Sequence, residues 1–234
     1  SNFPVNFANL ALDPGSMIEY KGIGAQTVYS TPTYGTLTLS NFSTKTAGGN
    51  INIAGNLAVA STVFDLTTFS CNRTALGGTF SLSTISTLKL AGGSGGTPGS
   101  NFPNNFTVHI LNATSTVEYN GIVPQTIYPV PTYGNLIITN NSTKTAGGNI
   151  SIARNLTVNS NAVYDLTTYT SNRTAAGGIF SLASAATIKL AGGTGGVTGS
   201  NFPNNFTTNT LNAASTVEYN GVVAQTVFST PAYG

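Results

Sequence analysis

The chain has 234 residues, a formal net charge of +2 and only 6% charged residues, against roughly 25% in an ordinary soluble domain. So little charge supplies no basic stripe for nucleic acid, and 40% hydrophobic residues exclude a disordered charged tail. No apolar run reaches the roughly 18 residues of a membrane span, and one Cys and one His make neither an internal disulfide nor a zinc cluster.

In chain order, the first clear alternation is Thr36-Leu37-Thr38-Leu39. Asn50-Ile51-Asn52-Ile53, Asn56-Leu57-Ala58-Val59, Thr79-Phe80-Ser81-Leu82 and Thr87-Leu88-Lys89-Leu90 follow. Polar and apolar residues alternating over four to six positions predict half-buried strands. Gly48-Gly49, Gly77-Gly78 and Gly92-Gly93 separate them, where positive φ carries no steric cost. Nothing shows the 3.6-residue period of an amphipathic helix. The composition suits an extended all-β protein outside the cell.

The pattern then repeats. Ser1-Asn2-Phe3-Pro4 returns at Ser100 and at Ser200, and Glu19-Tyr20 returns as Glu118-Tyr119 and Glu218-Tyr219. Ser43 through Ile51 returns as Ser142 through Ile150, and Asp65-Leu66-Thr67-Thr68 as Asp165 through Thr168. The period is 99 residues, then 100 after an insertion near Asn161. Copies therefore span 1–99, 100–199 and 200–234. The third breaks off at Gly234, so the chain reads as part of a longer array, expected to associate through its open ends.

Two all-β architectures fit. A parallel β-solenoid divides each copy into about four coils, starting near Thr36, Asn56, Thr79 and Thr107. Tandem β-sandwich domains also fit about 100 residues per copy, but there is no core Trp, no Cys pair and no linker. The favoured reading is one continuous solenoid, with Glu19, Glu118 and Glu218 in a line roughly 19 Å apart by strand stacking.

The recurrent charges are Glu19, Glu118 and Glu218; Asp65 and Asp165; Arg73 and Arg173; Lys45 and Lys144; Lys89 and Lys189. Two carboxylates about 5 to 10 Å apart would suit glycoside hydrolysis, yet near-identical copies argue against a unique cleft. Asp65 with Arg73, and Asp165 with Arg173, would pair across a coil. Otherwise these charges read as solvated faces, Lys45 and Lys144 included. His109 and Cys71 are solitary. The runs Ala91 through Gly96 and Ala191 through Gly196 read as loop punctuation, lacking the Lys-Ser/Thr ending of a phosphate loop. Phe3, Tyr20, Tyr29 and Tyr34 recur as Phe102, Tyr119, Tyr128 and Tyr133, and read as core or turn packing before an exposed sugar-stacking row. Catalytic residues, metal and cofactor are all expected to be absent.

Ser115-Thr116-Val117-Glu118-Tyr119-Asn120-Gly121, Gln125-Thr126-Ile127, Tyr133-Gly134-Asn135-Leu136 and Lys144 through Ile150 followed by Asn155-Leu156-Thr157-Val158 resemble repeats in very long secreted surface proteins of Bacteroidetes-type bacteria. The resemblance implies a right-handed parallel β-helix, export by the type IX route and a surface role as filament or adhesin. The expected function is a non-enzymatic extracellular filament or stalk segment. One alternative is an adhesin binding surface polysaccharide through repeated faces, and another a β-helical polysaccharide-degrading enzyme. Expected partners are further copies of the repeat, in the same or neighbouring chains.

Overall fold

A computed structural model describes residues 3–7, 9–92, 99–192 and 199–233. Among these there is no helix, hence none long and apolar enough to cross a membrane. Two compact units divide the chain, Ser1–Ser115 and Thr116–Gly234, and in each of them parallel strands stack as a β-solenoid. The glycine-rich runs 93–98 and 193–198 lie outside the described residues.

In unit 1 the strands are β1 (Met17–Tyr20), β2 (Gln26–Val28), β3 (Thr33–Tyr34), β4 (Thr36–Ser40), β5 (Thr44–Ala47), β6 (Ile51–Ile53), β7 (Leu57–Ala60), β8 (Val63–Asp65), β9 (Cys71–Arg73), β10 (Gly77–Leu82), β11 (Thr87–Leu90) and β12 (Phe106–Leu111). The chain winds around three sheets. The first runs β1-β4-β7-β10-β12, the second β2-β5-β8-β11 and the third β3-β6-β9, all parallel. The coils lengthen along the unit: Met17 pairs with Thr36, Leu37 with Leu57, Leu57 with Phe80, and Gly77 with Phe106.

Unit 2 repeats the winding with β13 (Thr116–Tyr119), β14 (Gln125–Ile127), β15 (Thr132–Ile138), β16 (Thr143–Ala146), β17 (Ile150–Val158), β18 (Val163–Asp165), β19 (Ser171–Arg173), β20 (Gly177–Leu182), β21 (Thr187–Leu190), β22 (Phe206–Leu211) and β23 (Thr216–Tyr219). Its first sheet is β13-β15-β17-β20-β22 and its second β14-β16-β18-β21-β23. The starts of β15 and β17 join β19 on the third side.

Alternation along each strand builds the core. Leu37, Leu57 and Phe80 stack in register, fully buried, as do Leu39, Val59 and Leu82. Leu136, Leu156 and Phe180 do the same in unit 2. Parallel pairing sets each residue about 4.8 Å above its partner, so like side chains stack into continuous columns. The extra residue of the second copy is absorbed in the turn Asn159–Ala162, where Asn161 takes a φ of 62° and the Ala162 amide donates to the Asn159 carbonyl.

The expected line of glutamates is corrected. Glu118 sits on β13 in the first sheet of unit 2, but its equivalent Glu218 sits on β23 in the second. One copy winds four coils and then occupies one further sheet. Within unit 2 these equivalent residues therefore step around the coil instead of lining up along it.

Candidate functional site

The interior holds polar stations at fixed places in each copy. Strand β5 reads Thr-Lys-Thr-Ala, with Lys45 and Ala47 pointing in. Lys45 is fully buried, as is Lys144 at the same place on β16. The expectation of solvated lysines is thus overturned, because the threonines on either side take the outward positions. Lys144 stacks between the buried Gln125 and Tyr164. Its Nζ donates to the Gly121 carbonyl at 2.8 Å and to Ser142 Oγ. Lys45 Nζ donates to the Gly22 carbonyl at 2.7 Å and to Ser43 Oγ. Two acceptors match the two N–H groups of a neutral amine and leave an ammonium one donor short. Burial without a carboxylate partner pushes the Lys144 amine down to about 8, and lowers Lys45 for the same reason.

The tyrosines close a ring of hydrogen bonds at one corner. The Tyr29 amide donates to the Tyr20 hydroxyl at 3.0 Å, and the Tyr34 hydroxyl donates to the Tyr29 carbonyl at 2.5 Å. Tyr20 must then donate to the Tyr34 oxygen, 2.9 Å away. Tyr119, Tyr128 and Tyr133 repeat the ring, and Tyr219, Phe228 and Tyr233 repeat it again. Only the backbone of the middle residue takes part, so Phe228 serves where Tyr29 and Tyr128 stand. Tyr20, Tyr34, Tyr119 and Tyr133 are buried, which makes them corner packing and not a sugar-stacking row.

A second polar station differs between copies in a matched way. On β18 the Tyr164 hydroxyl donates to Ser171 Oγ on β19 at 3.0 Å. The first copy has Phe64 and Cys71 there, both buried. Two hydroxyls occupy these places in one copy, an apolar ring and a thiol in the other. Ser171→Ala is expected to cost about 1–3 kcal/mol in urea unfolding, by stranding a buried phenol. Tyr164→Phe with Ser171→Cys is expected to recover most of that, and a double-mutant cycle measures the recovery. Burial raises the Cys71 thiol above its ordinary range, which leaves it a packing residue.

Outside, the proposed Asp–Arg pairs do not form. The Asp65 carboxylate accepts from the Thr67 amide at 2.8 Å, and Asp165 from Thr167 likewise. Arg73 instead donates to the Ala54 carbonyl, and Arg173 to Arg154 and Ala175 carbonyls. Strand register gives the aspartates another neighbour: Asp65 sits beside Lys89, and Asp165 beside Lys189. Lys189 also pairs with Glu218, Nζ to Oε2 at 3.7 Å. The outward column Thr126–Thr145–Asp165–Lys189–Glu218 thus carries a charge ladder from the second copy into the third. Asp165 and Glu218 are two strands apart, about 10 Å, but Lys189 stands between them on a solvent-facing sheet surface. Lys189→Ala is expected to cost under about 1 kcal/mol, because both partners are part-exposed; urea unfolding in low and high salt measures it. Glu19 accepts from Ser40 Oγ at 2.7 Å, and Glu118 faces outward on the first sheet.

The Ser-Asn-Phe-Pro motif is a structural staple. Buried Asn101 accepts from the Gly92 amide at 3.2 Å and donates to the Thr67 and Phe69 carbonyls at 2.9 and 2.7 Å. Asn201 makes the same three bonds to Gly192, Thr167 and Tyr169. Each binds the long coil back to the turn below it. His109 packs against Phe80 and Phe102, with Nε2 3.0 Å from the Pro103 carbonyl.

Among the described residues no group of three or more His, Cys, Asp or Glu could hold a metal ion. The chain matches no known family model, no curated protein and no solved structure. What the side chains build is an interior whose hydrogen-bonded stations recur between copies, under an outer surface of polar residues interrupted by exposed apolar ones such as Ile23, Leu76 and Ile122.

Proposed function

We propose that this chain is a non-enzymatic structural segment of an extracellular filament or stalk. The observation that carries the reading is how the third copy joins the second. Strand β22 pairs with β20 and β23 with β21, through the same parallel ladders that join coils within a copy. Growth by adding copies needs no new kind of contact, and length then follows copy number. Interior lysines, tyrosine rings and asparagine staples serve the coil, and outward charges pair along the ladder.

The resemblance to long secreted surface proteins supports a place at the cell surface, with further copies of the repeat as neighbours and the type IX route as the means of export. Immunogold electron microscopy of the source cells tests this. Label along fibres or stalks projecting from the envelope is the expected result; label confined to the cell interior would sink the proposal.

A further inference from the structure

We propose that Arg154 and Arg173 form an anion site on an outer corner of unit 2, which takes the carboxylate or sulfate groups of an acidic polysaccharide. The inference goes beyond the structural role. Unit 2 has four basic side chains, Lys144, Arg154, Arg173 and Lys189. Lys144 is buried and Lys189 pairs with Glu218. The other two meet at the corner where β17 passes from the third side onto the first sheet. Neither has an ion-pair partner among the described residues.

The backbone aims both arginines. Register runs from Tyr133 beside Ile152 to Asn135 beside Asn155, so Ala153 and Arg154 together face the single Gly134. Such a bulge re-aims the extra side chain, and Arg154 is exposed. The first copy has Gly55 there, so the coil itself does not require an arginine. Arg173 reaches the same corner from β19. Its Nε donates to the Ala175 carbonyl at 2.8 Å and its Nη1 to the Arg154 carbonyl at 2.9 Å. Gly177 leaves room for the guanidinium, since a Cβ there would come within 3.4 Å of Cζ. A guanidinium has five N–H donors; with these two engaged, three remain, in a plane that the carbonyls hold. A fixed planar fork beside a second guanidinium matches the paired oxygens of a carboxylate or sulfate. The adjoining strand supplies the rest of a sugar site. Ile179, whose amide donates to Asn155 Oδ1 at 3.0 Å, is 44% exposed and offers an apolar surface to the C–H face of a sugar ring. Thr208, exposed and paired beside Ile179, offers a hydroxyl.

Calorimetric titration of this chain with oligogalacturonate, dextran sulfate and neutral dextran tests the site, the first two separating carboxylate from sulfate. Binding of at least one charged polymer and none of neutral dextran is expected, weakening as salt is added. Arg154→Gln is expected to weaken that binding about tenfold, the worth of one charge-assisted hydrogen bond. Lys189→Ala is expected to leave it unchanged, because Lys189 stands on the second sheet. No binding of either charged polymer, equal binding of dextran, an affinity that survives Arg154→Gln, or an equal loss in Lys189→Ala would each overturn the proposal. Failure here leaves the extracellular role standing, because that role is read on native cells.

Discussion

Stability against urea is expected to rise as pH increases from about 8 towards 10, the reverse of ordinary alkaline weakening. The cause is Lys144, whose amine is pushed down to about 8 by burial while an unfolded lysine titrates near 10.5. Between those values the unfolded chain binds more protons than the folded one, so raising pH favours folding. Lys144 alone is expected to contribute roughly 2 kcal/mol between pH 8 and 10, and Lys45 acts in the same direction. Above pH 10 the trend reverses. Tyr34, Tyr133 and Tyr164 are raised, chiefly by burial, so the unfolded chain then loses protons first. Urea midpoints from pH 7 to 11 check both limbs. Lys144→Met is expected to flatten the rising limb and leave the falling one; a rising limb that survives Lys45→Met with Lys144→Met would refute the assignment.

Gly178→Val is expected to be the most damaging single substitution, on the order of 3–5 kcal/mol. Gly178 has a φ of 61°, and a Cβ there would collide with the Arg154 carbonyl oxygen of the coil below. Gly78 is its equivalent, with φ 60° and a Cβ position 2.5 Å from the Gly55 carbonyl oxygen. Neither the backbone conformation nor the stacking distance can relax, because the ladder fixes both. Thermal unfolding of Gly178→Val beside Ile179→Val, a part-exposed neighbour, separates the two causes from a general loss of packing. A midpoint for Gly178→Val within a degree or two of the parent would contradict the close-approach account.

Much of the fold was legible because alternation with glycine punctuation marks strands directly. The coil starts near Thr36 and Asn56 fall at or beside the beginnings of β4 and β7, and those near Thr79 and Thr107 fall inside β10 and β12. Lys45 departs from expectation through its chemistry and not through its period. The threonines of Thr-Lys-Thr-Ala point outward like Thr36 and Thr38, which places Lys45 inward, but a lysine is not expected inside a core. The Asp–Arg pairs failed because residues eight apart in one coil lie on different sheets, while Lys89 comes beside Asp65 through register alone. The tyrosine rings and the Tyr164–Ser171 pair depend on how a corner folds back, which spacing does not reveal. The step of one sheet per copy is equally hidden, since identity between copies says nothing about which side of the coil each begins on.

That step is the most exposed part of the account, and spin-label distances within unit 2 test it most directly. Glu118, Ile137, Thr157, Ser181 and Thr210 form one column on the first sheet. Labels at Glu118→Cys and Thr210→Cys are expected about 19 Å apart, four strand spacings, and labels at Glu118→Cys and Glu218→Cys farther apart. Buried Cys71 stays unlabelled. A Glu118–Glu218 distance near 19 Å with the Thr210 distance longer would mean that copies stack in phase, and about 40 Å between the glutamates would mean separate sandwich domains; either would contradict the solenoid described.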